Sequence, residues 1–134
     1  MKLSEKQMIF SKNIASLIVY ADMIGIGLTF GEAYRTHSQV LLYYFGYKVV
    51  KGGTFGIKLI KSRKLSNTLR GQHPRRLAVD FNFFINGELT YKFEDVKELG
   101  VFWLTLHPDN RWGGDFNKNG VEDGFIDTPH FEMQ

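Results

Sequence analysis

Apolar residues recur at helical spacing near the start of the chain. Phe10, Ile14, Leu17, Ile18 and Ala21 form one stripe and predict a helix over residues 4–24. Ser4 is suited to cap it, and Gly25 and Gly27 to end it. Leu28-Thr29-Phe30 then reads as a short strand leading into Gly31-Glu32-Ala33-Tyr34-Arg35-Thr36. A second apolar stretch, Ser38 to Tyr47, predicts another helix. Residues 51–72 are Gly-rich and basic with no clear period, which predicts a long loop. From Leu77 to Ile85 the pattern alternates. Leu77, Val79, Phe81 and Phe83 fall on one face of a strand, and Ala78, Asp80 and Asn82 on the other. Asn86-Gly87 is a hairpin turn signal, with Glu88 to Tyr91 as the return strand. Phe93 to Leu106 predicts a helix, and His107 to Asp127 a Gly-, Asn- and Asp-rich loop. Pro129 to Met133 closes as a strand, with His130 and Glu132 on one face and Phe131 and Met133 on the other. The expected core holds Trp103, Phe102, the aromatics between Phe81 and Phe84, and Tyr43, Tyr44, Phe45 and Tyr47.

The class this implies is α+β: helices packed on a short antiparallel sheet. The 134 residues suffice for one domain with a real core, 1–134, with no linker and no separate second domain expected. No window approaches the roughly 18 apolar residues of a membrane span. The N-terminal residues lack a signal-peptide core and cleavage site, so a cytoplasmic protein is expected, or one released by another route.

Charge changes the picture more than composition does. Residues 1–79 carry 13 Lys/Arg and 3 Asp/Glu, a balance of +10, whereas residues 80–134 carry 4 and 11, a balance of −7. The densest basic stretch runs from Lys58 to Arg76. Two readings stay open for it: an anionic polymer partner, either nucleic acid or bacterial wall, and a plain solvated loop. The acidic half carries most of the candidate chemistry.

With no cysteine, disulfides and thiolate metal sites are excluded, and any transition metal must be held by His and carboxylate. Residues 72–80, Gln-His-Pro-Arg-Arg-Leu-Ala-Val-Asp, and 127–132, Asp-Thr-Pro-His-Phe-Glu, supply such groups. His73, Asp80 and His130 make three N and O ligands with a fourth position open, the pattern of a catalytic zinc. Asp80 and His130 converge if their strands are neighbours, and His73 joins them if the chain bends at Pro74 and the arginines. Asp127 is then placed to accept a proton from an attacking water. Spacing alone leaves the bland alternative open, that of surface or hydrogen-bonded histidines.

These segments resemble a family of zinc peptidases, the D-Ala-D-Ala carboxypeptidase and L-alanyl-D-glutamate endopeptidase group, which includes many bacteriophage endolysins. The family pattern is Ser-x-His-x-x-Gly-x-Ala-x-Asp followed by a distant Glu or Asp-x-x-His. The chain reads Gly71-Gln72-His73-Pro74-Arg75-Arg76-Leu77-Ala78-Val79-Asp80, then Asp127-Thr128-Pro129-His130. Gly71 stands where Ser is usual, and Arg76 where Gly is usual. Glu32-Ala33-Tyr34-Arg35-Thr36 resembles the family's Arg-Thr motif. Trp112-Gly113-Gly114-Asp115-Phe116 resembles the Trp-Gly-Gly-Asp segment of its endopeptidase branch. The resemblance implies a hedgehog/DD-peptidase-like fold and zinc on His73, Asp80 and His130. It gives Asp127 the acid–base role and Arg35 the support of charge on the substrate carbonyl oxygen.

The expected function is cleavage of the peptidoglycan stem peptide between L-Ala and D-Glu. The expected actor is a monomeric phage endolysin that waits in the host cytoplasm and then acts on the wall. The alternatives are a D-Ala-D-Ala carboxypeptidase or dipeptidase of the same group, and a basic nucleic-acid-binding domain. The latter leaves the acidic half unexplained.

Asp115, Asn117 and Asn119 before Gly120 fit the first half of a calcium loop, with Glu122, Asp123 or Asp127 as further oxygens. Ile126 occupies the place of the EF-hand's final Glu, and ordinary Asx turns explain the same residues. His37 and His107 are expected to be structural or surface residues.

Overall fold

The computed structural model describes residues 1–54 and 56–134. The chain runs α1 (Leu3–Met23), β1 (Ile26–Phe30), α2 (His37–Phe45), β2 (Tyr47–Lys51), β3 (Ile57–Lys61), a 3-10 turn (His73–Arg75), β4 (Ala78–Ile85), β5 (Glu88–Thr90), α3 (Phe93–Leu106), β6 (Asn110–Trp112) and β7 (His130–Met133). Strands β1, β4, β7 and β6 follow one another across an antiparallel sheet, and β5 pairs with β4 as a hairpin. Helices α1 and α3 pack against each other, α1 against β1 and α3 against β6. The fold class is α+β, as the periodicities predict.

The core is built from the faces that the alternation marks. Val79, Phe81 and Phe83 of β4 and Phe131 and Met133 of β7 meet Phe10, Leu17 and Ala21 of α1 and Val96, Leu99 and Trp103 of α3. Trp103 fixes the orientation of α3 by donating its indole N–H to the Arg111 carbonyl at 2.9 Å. The buried Asn110 amide returns a bond to the Trp103 carbonyl at 2.9 Å. The predicted α3 boundaries and the Asn86-Gly87 turn match the structure. Both turn residues have positive φ, 51° and 80°, as a tight hairpin of this hand requires.

Several expectations are corrected. Ser4 is not the cap of α1: the helix starts at Leu3, and the Glu5 carboxylate accepts the Lys2 backbone N–H at 2.7 Å. Ile18, predicted to join the apolar stripe, is exposed, whereas Asn13 is buried there. Helix α2 ends at Phe45, because Gly46 adopts a left-handed conformation and Tyr47 already belongs to β2. Phe45 and Tyr47 are therefore exposed rather than core, and Tyr43 and Tyr44 are only half-buried. The predicted loop 51–72 contains the end of β2 and all of β3, which form a separate two-stranded sheet. Phe55, within that predicted loop, lies outside the described residues. The tail from His107 likewise hides strand β6. His37 is exposed, and His107 accepts the Asp109 N–H at 3.1 Å, so both are surface or structural groups as expected.

Candidate metal centre

The antiparallel register of β4 and β7 sets Asp80 directly opposite His130. Both residues lie on the face away from the aromatic core. Asp80 Oδ1 and His130 Nδ1 are 3.1 Å apart. His73 reaches the same point through the 3-10 turn. Pro74 is the second residue of that turn, and Arg76 ends it with a left-handed φ of 57°. The bend falls at Pro74 and the arginines, where the spacing requires it. Arg76 occupies a backbone position that glycine adopts at no steric cost. That explains the resembling family's preference for Gly there. The Arg76 guanidinium lies 4.5 Å from the Tyr34 ring centre.

His73 Nε2 stands 3.4 Å from Asp80 Oδ1. One donor atom from each of His73, Asp80 and His130 lies within 4.8 Å of the others. Bonds of about 2.0–2.1 Å to a tetrahedral ion separate neighbouring ligand atoms by about 3.3 Å. The observed 3.1 and 3.4 Å edges fit that spacing. His73 Nδ1 is buried with no hydrogen-bond partner. A cluster of two imidazoles and a carboxylate can therefore hold a metal ion.

The sequence reasoning missed the residues behind these ligands. Glu132, buried on the same face of β7, meets His130 Nε2 at 2.9 Å through one carboxylate oxygen. Its other oxygen pairs with Arg111 Nη1 at 3.1 Å. A carboxylate on the far ring nitrogen fixes the imidazole tautomer and leaves Nδ1 free to donate to a metal. The strand alternation did place Glu132 beside His130, which is the signal that could have found it.

The electrostatics follow from burial and these partners. Burial alone would raise the Asp80 pKa. The hydrogen bonds and charges of His130 and His73 outweigh it and hold Asp80 well below the usual carboxylate range. For His130, burial opposes protonation, but Asp80 and Glu132 raise its pKa to about 9. Asp127 has the opposite environment to Asp80. Burial raises its pKa, and the nearby histidines and Arg35 offset this only in part.

Asp127 is held beside the ligands by the Trp-Gly-Gly segment. The Asp127 N–H donates to the Gly113 carbonyl at 2.7 Å, and the Gly113 N–H to the His130 carbonyl at 2.7 Å. A Cβ at Gly113 would collide with the Asp127 carbonyl, and one at Gly114 or Gly100 with the Trp112 ring. The Trp112 indole donates to the Thr128 carbonyl at 2.8 Å, and Thr128 Oγ1 donates to the Tyr91 carbonyl at 2.7 Å. The turn from Asp127 to His130 is thus clamped from both sides.

Arg35 lines the same cleft of about 640 Å³ as His73, Asp80, Asp127 and His130. Its guanidinium is oriented by Glu32, at 2.5 Å from Nε and 3.2 Å from Nη2, and lies 5.0 Å from the Tyr43 ring centre. Backbone bonds between Gly31, Glu32 and Asp80 tie this segment to β4. Thr36 does not face the chemistry; it caps α2 by accepting the Gln39 N–H at 3.2 Å. Phe116 and Phe125 stack on each other and also line the cleft.

The Asp115 loop turns on its own side chains. Asp115 accepts the Asn119 and Gly120 N–H groups at 3.0 and 2.8 Å, and Asn117 and Asn119 bond to Asp123. The Asx-turn alternative accounts for these oxygens.

No family model and no curated protein matches the chain. Among solved structures it is similar to the Serratia marcescens L-Ala D-Glu endopeptidase ChiX. The TM-score is 0.57 at 17% identity, over 100% of this chain and 87% of that one. The likeness shows a shared fold. No helix among the described residues is long and apolar enough to cross a membrane.

Proposed function

We propose that this chain is a zinc-dependent hydrolase of the peptidoglycan stem peptide, an L-alanyl-D-glutamate endopeptidase acting as a phage endolysin. The observation that carries the reading is one cleft holding His73, Asp80 and His130 around a common point, with Asp127 and Arg35 beside them. The fold shared with an L-Ala D-Glu endopeptidase supports it, as do the four motif segments. His73, Asp80 and His130 would hold the ion. Zinc in such a site supplies a Lewis acid and makes water a nucleophile near neutral pH.

The remaining steps belong to the chain. Asp127 takes a proton from the attacking water and passes it to the leaving amine. Its burial-raised pKa suits both duties, since an acid–base group works best near the operating pH. Arg35, held by Glu32, presents its remaining N–H groups to the carbonyl oxygen as negative charge grows there. Lys64, also on the cleft wall, complements the carboxylates of a stem peptide. The chain acts as a monomer and stays in the host cytoplasm until it is released towards the wall.

Mass spectrometry of fragments from purified peptidoglycan tests the proposal. Zinc-loaded protein should release products with new L-alanine carboxyl and D-glutamate amino ends. Release of D-alanine alone would assign the carboxypeptidase activity instead. Intact stem peptides with zinc bound would overturn the hydrolase reading.

A further inference from the structure

The two-stranded sheet β2–β3 forms a sheet of its own and carries an apolar face that is exposed among the described residues. Register places Tyr47 opposite Lys61, Val49 opposite Leu59 and Lys51 opposite Ile57, so these six side chains share one face. Val49, Ile57 and Leu59 are 52%, 77% and 58% exposed, and Tyr47 is 38% exposed. Three aliphatic side chains this open, side by side on one small sheet, mark an interaction site rather than scattered surface residues. Lys48 and Lys58 extend from the opposite face, and Lys61 Nζ sits 4.6 Å from the Tyr47 ring centre.

The surrounding charge says what the face meets. Residues 33–79 contain no Asp or Glu and ten Lys or Arg. The partner is therefore anionic. A purely ionic partner such as a polyphosphate or acidic glycan has no use for exposed Val, Ile and Leu, whereas a lipid surface buries them and binds the lysines through its headgroups. A second copy of this face would set lysine against lysine. We infer that the β2–β3 sheet docks the protein on an anionic phospholipid surface. The aliphatic side chains enter the headgroup boundary, and Lys51 and Lys61, on the same face, contact lipid phosphates. Lys64 and Leu65, just past β3, line the catalytic cleft, so docking would hold that cleft close to the membrane.

Vesicle co-sedimentation of the full chain tests this. Vesicles of phosphatidylcholine alone are compared with vesicles that also contain phosphatidylglycerol. Binding should require phosphatidylglycerol and weaken with salt. Each lysine lost should cost about fivefold in affinity, from about 1 kcal/mol per basic residue at an anionic surface. Two double variants separate the contributions: Lys51→Glu with Lys61→Glu, and Ile57→Ser with Leu59→Ser. Both should lose binding by at least about tenfold, with melting temperature and hydrolysis of a short soluble stem peptide unchanged. Absence of vesicle binding at low salt would overturn the inference. So would vesicle binding that survives Ile57→Ser with Leu59→Ser, which would assign the surface to an ionic polymer. A concentration-dependent dimer abolished by that same variant would assign it to a second copy.

Discussion

Glu132 shows how much a single side chain behind a ligand decides. It leaves His130 with one ring nitrogen for the ion, and Arg111 keeps the carboxylate in place. Replacing Glu132 with Ala should lower zinc affinity about 10–100-fold, the usual cost of removing such a partner. Competition with a chromophoric chelator measures this without reference to turnover. Glu132→Gln should recover part of the loss, since an amide oxygen can still accept from the imidazole. Equal zinc affinity in Glu132→Ala and the parent would remove Glu132 from the site. Asp127 should behave in the opposite manner. Asp127→Asn should retain zinc and lose about 10²–10⁴-fold in turnover, the range typical of acid–base groups. Parallel zinc content and peptide-cleavage rates check it. Wild-type turnover in that variant would show that another group moves the proton.

Elements place these residues, and the two kinds of element signal were unequally legible. Strand β4 was readable because its alternation separates an aromatic face from a polar one, and the polar face delivered Asp80. Helix α3 was readable because apolar residues at helical spacing cover the whole span that the core buries. Strand β6 was not, since a three-residue strand gives no period to detect. The β2–β3 sheet was missed because apolar and basic side chains share its exposed face, so no buried face imposes a pattern. The ligands could be named from the sequence, but the pairing of Glu132 with Arg111 crosses two strands and depended on the β6–β7 register. The Trp-Gly-Gly segment was legible only as a motif, while its role lies in backbone contact. Gly113→Ala should push the Asp127 carbonyl away and lower turnover together with melting temperature, by about 1–3 kcal/mol of stability. Kinetics and thermal denaturation of that variant are the measurement. Unaltered values in both would mean that the turn gives way freely.

At the scale of the molecule, the candidate metal centre is also an electrostatic knot whose strength depends on pH. His130 has a folded-state pKa of about 9 against an ordinary 6.5. Its pairing therefore stabilises the metal-free protein fully below pH 6.5, and this contribution is lost as pH rises through 9. Asp80, shifted below its ordinary 3.8, contributes above that value and loses its contribution as acid protonates it. These are two sides of one interaction, so metal-free protein should be most stable between roughly pH 4 and 6.5. Its melting temperature should fall from pH 6.5 to 9. Zinc must displace the His130 proton, so apparent zinc affinity should rise over the same interval. Thermal scans across pH, with and without zinc, check both directions. A metal-free melting temperature that climbs towards pH 9 would contradict the charged His130–Asp80 pair.

The direct pairing of Asp80 with His130 across β4 and β7 has a consequence for how the protein comes into being. Fifty positions of chain separate the partners, and a slip of one residue would send the imidazole to the opposite side of the sheet. The candidate metal cluster forms only when β7 brings His130 to Asp80 and His73. An ion bound to these three groups would favour the one alignment of β4 and β7 that brings them together, and so would select the native register.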